Sequence, residues 1–149
     1  MGSVSTRMGV CIVSLPGPGS RAACRGSSMF AKAGRTRDGA AAEGRAAEFL
    51  EQAGLRLVAR NYRSPHGEID LIMQQDQTLV FVEVRFRTRR DFGAPAETVD
   101  RRKQSRLRAT AEHYLQRDQR ASKRPCRFDI VAVSPSRDGD RLEWIRDAF

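Results

Sequence analysis

The sequence predicts an α/β domain in which a mixed central sheet carries two helices. Apolar residues recur at helical spacing in two separate segments, and shorter runs rich in β-branched and aromatic residues lie between and after them. A chain of 149 residues fits one domain of this kind. The order of these segments is αβββαβ, followed by a short C-terminal strand.

Turn-forming residues divide these segments into elements. The first helix is expected at residues 40–53, because Phe49 and Leu50 lie on its apolar side and Gly54 suits a C-terminal stop. The second helix is expected to be capped by Thr98 and to end near Arg117. The expected strands are residues 55–62, 68–74, 78–87, 127–133 and, as a short final strand, 142–146.

The first 37 residues differ in composition from the rest of the chain. They are rich in Gly, Ser, Ala and Arg, with six basic residues and no acidic one. Such a segment has little apolar surface to bury and favours disorder. We therefore expect a disordered basic extension at residues 1–37 and a folded domain at residues 38–149.

Cysteine usage and hydropathy indicate the compartment. Cys11, Cys24 and Cys126 form no CxxC pair and have no zinc-ligand spacing with a histidine. A reducing, cytoplasmic location without disulfides is therefore expected. No apolar run approaches the roughly 20 residues of a membrane-spanning helix, so no membrane association is expected.

Two acidic residues interrupt the apolar runs of neighbouring predicted strands. Asp70 lies among Ile69, Leu71 and Ile72, and Glu83 lies within the run at residues 80–86. Ionised carboxylates are rarely buried unless they are paired or bind a metal. A divalent cation shared between the two strand ends is one explanation. Exposure to water, or pairing with local arginines, is the other.

Strand alternation predicts which side chains share a face with these two acids. If the strands pair, Asp70 and Glu83 approach each other at one end of the hairpin. Phe81, Arg85 and Arg87 are expected on the face of Glu83, and Glu68 and Ile72 on the face of Asp70.

Each helix contributes one charged residue to its predicted inner side. Glu43 lies three, four and seven positions before Ala46, Ala47 and Leu50, on the apolar stripe, whereas Glu48 is rotated away from it. Lys103 interrupts the apolar side of the second helix and is expected to point toward the sheet. A capping acid and a snorkelling lysine are the structural alternatives.

The net charge of +9 is unevenly distributed along the chain. Apart from the N-terminal segment, the positive charge is concentrated at residues 84–108, directly after the carboxylate stretch. A basic block beside an acidic pocket suits a polyanion bound near a metal site, although a solvated arginine-rich helix has the same composition. The expected nucleic-acid contacts are Arg87, Arg89, Arg90, Arg101, Arg102 and Arg106.

These motifs resemble those of the YraN-type family of uncharacterised bacterial proteins. That family combines a helix bearing an inward Glu with the segments Asn-aromatic-Arg, Gly-Glu-Ile-Asp-Leu-Ile and Phe-Val-Glu-Val-Lys, and with a Lys-containing helix. The resemblance covers residues 38–149 and rests on Glu43, Phe49, Leu50, residues 61–63, 67–72 and 81–85, Lys103, and residues 127–129 and 147–149. The arrangement is also similar to the restriction-endonuclease-like PD-(D/E)xK nuclease superfamily, in its Holliday-junction-resolvase-like branch.

The resemblance implies a restriction-endonuclease-like core and a metal-dependent nuclease. Glu43, Asp70 and Glu83 would bind Mg²⁺ or Mn²⁺, and Asp70, Glu83, Arg85 and Lys103 would form the catalytic set. Arg85 replaces the usual lysine of the family, and arginine stays protonated and cannot act as a general base. Lys103 would then supply a mobile cation.

The resemblance also implies partners. The expected substrate is DNA, with branched or distorted DNA as the analogous type, and resolvase-like relatives suggest a homodimer. A catalytically degenerate nucleic-acid-binding module on the same fold is the alternative function. A protein-interaction scaffold, which would bind neither metal nor nucleic acid, is a third.

Overall fold

The computed structural model describes residues 37–87 and 99–149, together with the backbone of two short strands near the N-terminus. The two helices are α1 at Arg37–Gln52 and α2 at Arg101–Arg117, and a 3₁₀ turn follows at Ala121–Lys123. The strands are β1 at Ser5–Arg7, β2 at Val10–Ser14, β3 at Arg56–Ser64, β4 at Gly67–Gln75, β5 at Thr78–Phe86, β6 at Cys126–Ser136 and β7 at Gly139–Ile145.

All these strands belong to one mixed sheet in the order β1-β2-β7-β6-β5-β4-β3. Strands β5 and β6 are parallel, and the other neighbouring pairs are antiparallel. Parallel neighbours need a crossover connection, which here contains α2, whereas short turns join β3 to β4, β4 to β5 and β6 to β7. The predicted α/β fold, with helix and strand order αβββαβ plus a final strand, is confirmed.

The two helices cover opposite faces of the sheet. Because side chains alternate along each strand, both faces present apolar residues for a helix to cover. On one face, α1 packs Leu50 against residues that include Leu71, Val82 and Val131. On the other face, α2 packs Leu107 and Ala111 against a second apolar cluster. Among the described residues, no helix is long and apolar enough to cross a membrane.

The second helix begins later than the sequence predicted. Asp100, not Thr98, is its N-cap residue, and the Asp100 side chain accepts a hydrogen bond of 2.7 Å from the Lys103 backbone N–H. Both residue types are good caps. The Asp100 carboxylate accepts a hydrogen bond from a first-turn N–H, and its negative charge interacts favourably with the positive end of the helix dipole. Thr98 lies outside the described residues. Val99 precedes the helix and is buried.

Strands β6 and β7 both extend closer to the turn that joins them than the sequence predicted. Strand β6 continues to Ser136 because its pairing with β7 extends to the Ser136–Gly139 pair. Gly139 has a φ of +122°, a backbone conformation that glycine adopts more readily than other residues. The turn is therefore a tight hairpin within a continuous ladder.

The N-terminal segment contains two strands that the expectation of a disordered extension did not include. Strand β2 pairs with β7 over five positions, from Val10–Ile145 to Ser14–Arg141, and β1 pairs with β2. These strands extend the sheet beyond the core strands β3–β7. The domain boundary at residue 38 stays a prediction.

Candidate functional site

A cleft of about 520 Å³ opens at one end of the sheet, between the first turns of α1 and α2. The start of β4 and the end of β5 form its floor, because these two strands run antiparallel. Its lining includes three of the predicted carboxylates, from three different elements, and one predicted cation. These residues are Glu43 on α1, Asp70 on β4, Glu83 on β5 and Lys103 on α2.

Asp70 lies where the β4–β5 ladder ends. The last pair in that ladder is Leu71–Val82, so Asp70 is the next residue and stands opposite Glu83. Asp70 is 9% exposed, and its Oδ2 accepts a hydrogen bond of 2.9 Å from the Val84 backbone N–H. A hydrogen bond to an ionised group is stronger than a neutral one, so this contact stabilises a charged Asp70 at the floor of the cleft.

Glu83 is more deeply buried and is paired with two cations. It is 6% exposed, and its Oε1 contacts the Lys103 ammonium and lies 3.4 Å from Arg85 Nε. Lys103 therefore points toward the sheet, as its position on the helix predicted. The contact with Arg85 is the pairing with a local arginine that was the alternative to a metal. Such pairing offsets the desolvation of a buried carboxylate.

Glu43 is half-buried on the cleft side of α1, and Glu48 on the same helix is exposed, as predicted. Carboxylate oxygens are the ligands that Mg²⁺ prefers, so the donor chemistry of the cleft fits that ion. Within the described ranges, however, no three His, Cys, Asp or Glu residues are gathered closely enough to hold a metal. The Lys103 ammonium supplies the positive charge at Glu83 in this arrangement. Metal binding stays a prediction.

The predicted nucleic-acid contacts are distributed over several surfaces. Arg102 and Arg106 are exposed and line the cleft. Arg101 lies with Arg108 along another part of the α2 surface. Arg87 is half-buried, and its backbone N–H donates to the Val133 carbonyl at 2.8 Å. Arg89 and Arg90 lie outside the described residues.

Two hydrogen bonds attach the β3–β4 hairpin to α2, and sequence reasoning missed both. The Ser64 hydroxyl lies 3.1 Å from Thr110 Oγ1, and the Tyr62 hydroxyl lies 2.8 Å from His113 Nδ1. The partners are 46 and 51 positions apart, so no local pattern reveals them. Together they hold α2, and with it Lys103, over the strands that carry the carboxylates.

Sequence reasoning also did not single out as functional two acidic residues of the cleft, Glu68 and Asp100, or the aromatic residue Tyr114 on α2. Glu68 and Asp100 line the cleft, and Glu68 lies 3.2 Å from Arg63 Nε. Tyr114, farther along α2, packs edge-on against Phe81, and burial raises the pKa of its hydroxyl, as does the Asp118 carboxylate to a smaller degree. Tyr114 therefore stays neutral and contributes to packing.

Comparison with known proteins identifies the family of the chain. The model of uncharacterised protein family UPF0102 matches residues 42–133, the segment that contains Glu43, Asp70, Glu83 and Lys103. The chain belongs to this family. The match confirms the resemblance to the YraN-type family.

Curated relatives support the same assignment. A UPF0102 protein of Nitrosococcus oceani is 47% identical over 111 residues, which are 74% of this chain and 90% of the relative. A UPF0102 protein of Pseudomonas putida is 46% identical over 122 residues, which are 81% of this chain and 98% of the relative. UPF0102 protein NE0719 of Nitrosomonas europaea is 50% identical over 111 residues, which are 74% of this chain and 92% of the relative.

Proposed function

We propose that this UPF0102 protein is a metal-dependent nuclease that hydrolyses phosphodiester bonds in DNA. The observation that carries the proposal is the pair of carboxylates, Asp70 and Glu83, at the floor of a cleft whose rim is basic. Carboxylates are the ligands that Mg²⁺ prefers, and clefts of this kind are the default location of active sites.

Glu43, Asp70 and Glu83 are the residues that would hold the Mg²⁺ or Mn²⁺ ion. When bound, such an ion lowers the pKa of a water molecule and stabilises negative charge on the phosphate. The protein contributes the carboxylates on three separate elements of the fold. Because Asp70 and Glu83 lie on paired strands, their backbones are fixed before the ion arrives, which reduces the cost of ordering the site.

Lys103 and Arg85 have different roles in this proposal. Arg85 is always protonated, so it offsets developing phosphate charge and does not accept a proton. The Lys103 side chain is 36% exposed and reaches Glu83 from α2. On release from Glu83, its ammonium can move to the phosphate or donate a proton to the leaving oxygen.

The rim of the cleft supports a polyanionic substrate. Arg102 and Arg106 are exposed there, where they can contact phosphates and set the position of the strand without reading its sequence. A preference for branched or distorted DNA, action as a homodimer and a cytoplasmic location are proposed by analogy with nucleases of similar fold.

A second candidate function is a nucleic-acid-binding module that has lost catalysis. The ion pair between Lys103 and Glu83 favours it, because this pair neutralises the carboxylate without a metal. Arg85 in place of the family's lysine also favours it. The retention of Glu43 and Asp70 in the same cleft favours the nuclease, because acids facing a polyanion weaken simple binding.

Cleavage assays distinguish the two candidates. Labelled duplex, single-stranded and four-way-junction DNA would be incubated with Mg²⁺, Mn²⁺ or EDTA. The nuclease should cleave at least one substrate, with activity abolished by EDTA and by Asp70→Ala. Glu48→Ala, which removes an exposed acid from α1, is the matched control and should keep full activity.

Binding without cleavage on every substrate would contradict the nuclease and support the binding module. Binding that weakens steeply with salt would show phosphate contacts in either case. No binding at low salt would exclude both candidates.

A further inference from the structure

Asn61 on β3 has a backbone conformation that is unusual within a strand. Its φ is +53°, in the left-handed region, where Asn is tolerated better than most residues other than glycine. Asp76 and Asp147 also have positive φ, but Asp76 lies in the turn between β4 and β5, and Asp147 follows β7. A left-handed residue between paired strand positions requires a reason beyond turn formation.

The left-handed residue stands directly opposite Asp70. The ladder between β3 and β4 pairs Arg60 with Leu71 and Tyr62 with Ile69, and between these pairs Asn61 faces Asp70. The register is the same on both sides, so no residue has been inserted at this point. The conformation of Asn61 therefore changes the local twist and not the pairing.

The alternation of side chains on β4 is broken at Asp70. Leu71 and Met73 pack in the cluster beneath α1, so a regular strand would place Ile69 there as well. Ile69 instead packs with Ile72 in the cluster beneath α2. This differs from the regular alternation that the sequence predicted, and Asp70 is the residue at which the strand changes face.

Strand β3 shows the same break at the same level. Ala59 and Tyr62 both pack against the α2 cluster although they are three positions apart. Regular alternation would place them on opposite faces. The break falls between them, at the segment that contains Asn61.

We propose that Asn61 is a positioning residue for Asp70. Its left-handed backbone reverses the alternation of side chains on β3 and β4 at the position where Asn61 faces Asp70. This reversal directs the Asp70 carboxylate to the cleft and to the Val84 N–H. The end of the β4–β5 ladder at Leu71–Val82 leaves that N–H available to the carboxylate. Without the reversal, Ile69 would lie beneath α1 with Leu71 and Met73 and not in the cluster beneath α2. The effect of Asn61 on catalysis rests on the proposed function, whereas its effect on Asp70 does not.

Amide hydrogen exchange at Val84, measured by NMR, tests the inference without any assay of activity. In the native protein the Val84 N–H is protected by Asp70, so Asp70→Ala should speed its exchange and set the reference. Asn61→Val should speed Val84 exchange roughly tenfold or more, because a β-branched residue is strained at positive φ. Asn61→Gly should leave it near the native rate, because glycine adopts this conformation freely.

Comparison of Asn61→Ala with Asn61→Gly isolates the backbone, because both variants remove the same amide side chain. If Asn61→Val does not fold, this pair decides the question, and the Ala variant should show the faster Val84 exchange. Asp76→Val is the matched control: it introduces a β-branched residue at a φ of +51° away from the cleft and should leave the exchange ratio of Val84 to Val82 unchanged.

Equal Val84 exchange in the Ala and Gly variants would overturn the inference, as would a Val84 rate that Asp70→Ala does not change. The proposed function is tested separately, by the cleavage assay. A native protein with the expected exchange pattern and no nuclease activity would retain the positioning role and reject the nuclease. Nuclease activity in the native protein, together with equal Val84 exchange in the Ala and Gly variants, would support the nuclease and reject the positioning role.

Discussion

Asp129 and Glu83 are both carboxylates on central strands of the sheet, yet their surroundings differ completely. Asp129 is 1% exposed and is enclosed by donors: Arg127 Nε at 3.0 Å, Trp144 Nε1 at 2.9 Å and the Asp147 backbone N–H at 3.0 Å. Glu83 is nearly as buried, but it faces a cleft and contacts the partly exposed side chain of Lys103.

The comparison separates a structural acid from a candidate functional one. The donors of Asp129 come from β6, from β7 and from the segment after β7, and the two strands are paired along their length. This carboxylate therefore holds the C-terminal segment to the sheet. The principal donor of Glu83 is the ammonium of a partly exposed lysine on another element, and in the proposed function its displacement would free the Glu83 oxygens for a ligand. Burial alone does not distinguish a structural carboxylate such as Asp129 from a candidate functional one such as Glu83. The number and rigidity of the donors distinguish them.

The largest expected effect is on stability, from Asp129→Ala. This change removes the hydrogen-bond acceptor of the buried Trp144 Nε1 and the carboxylate partner of Arg127, whose guanidinium keeps its hydrogen bond to Gln75 Oε1. Breaking an ion pair with a fully buried carboxylate costs about 3–5 kcal/mol. Urea unfolding followed by circular dichroism would measure it. Asp138→Ala, an exposed acid in the β6–β7 turn, is the control and should cost less than about 0.5 kcal/mol. Similar midpoints for the two variants would refute the structural role of Asp129.

The next effect is the loss of metal-induced stabilisation in Asp70→Ala. At a metal concentration near 100 times the dissociation constant, a bound ion raises the free energy of unfolding by about 2.7 kcal/mol. Removing Asp70 should eliminate the rise in Tm that Mg²⁺ or Mn²⁺ produces in the native protein. Thermal melts with metal or with EDTA would test this, and an undiminished rise in Asp70→Ala would exclude Asp70 as a ligand. Asp129→Asn should retain the metal response.

A smaller effect is expected from Lys103→Met. The substitution removes the ammonium that competes for Glu83, so half-saturation by metal should occur at a concentration lower by about 3- to 10-fold, equivalent to about 1 kcal/mol. Cleavage should fall at the same time, because the mobile cation is lost. Metal titration of Tm beside the exposed control Lys123→Met measures the first effect. An unchanged titration midpoint would show that Lys103 does not compete with the ion.

The smallest effect is expected from Arg85→Lys. Lysine restores the residue that is usual in the family and keeps a positive charge near Glu83, so stability should change by less than about 0.5 kcal/mol. Any nuclease activity should be kept or raised, because lysine can exchange protons whereas arginine cannot. The rate on the best DNA substrate is the measurement. Complete loss of cleavage would assign the guanidinium a role that a point charge cannot fill.

Much of the fold follows from local pattern. The helical period around Leu50, the β-branched runs of β4 and β5, and the turn residues between them predicted the order of the elements correctly. Capping was misassigned because Thr98 and Asp100 are both good caps and lie two positions apart. The donors of Asp129 are Arg127, Trp144 and the Asp147 backbone, and the last two lie 15 and 18 positions away, so no local pattern reveals them.

By itself the sequence determined the fold class, the family and the identity of the unusual acids, because these depend on periodicity and on residue type along short stretches. The tertiary structure decided which residues meet. Lys103 and Glu83 are 20 positions apart, and their contact requires α2 to cross the sheet at one particular place. The change of face at Asp70 likewise depends on a left-handed residue of the neighbouring strand. Such contacts arise from the packing of elements distant in the chain, so the local sequence carries no signal for them.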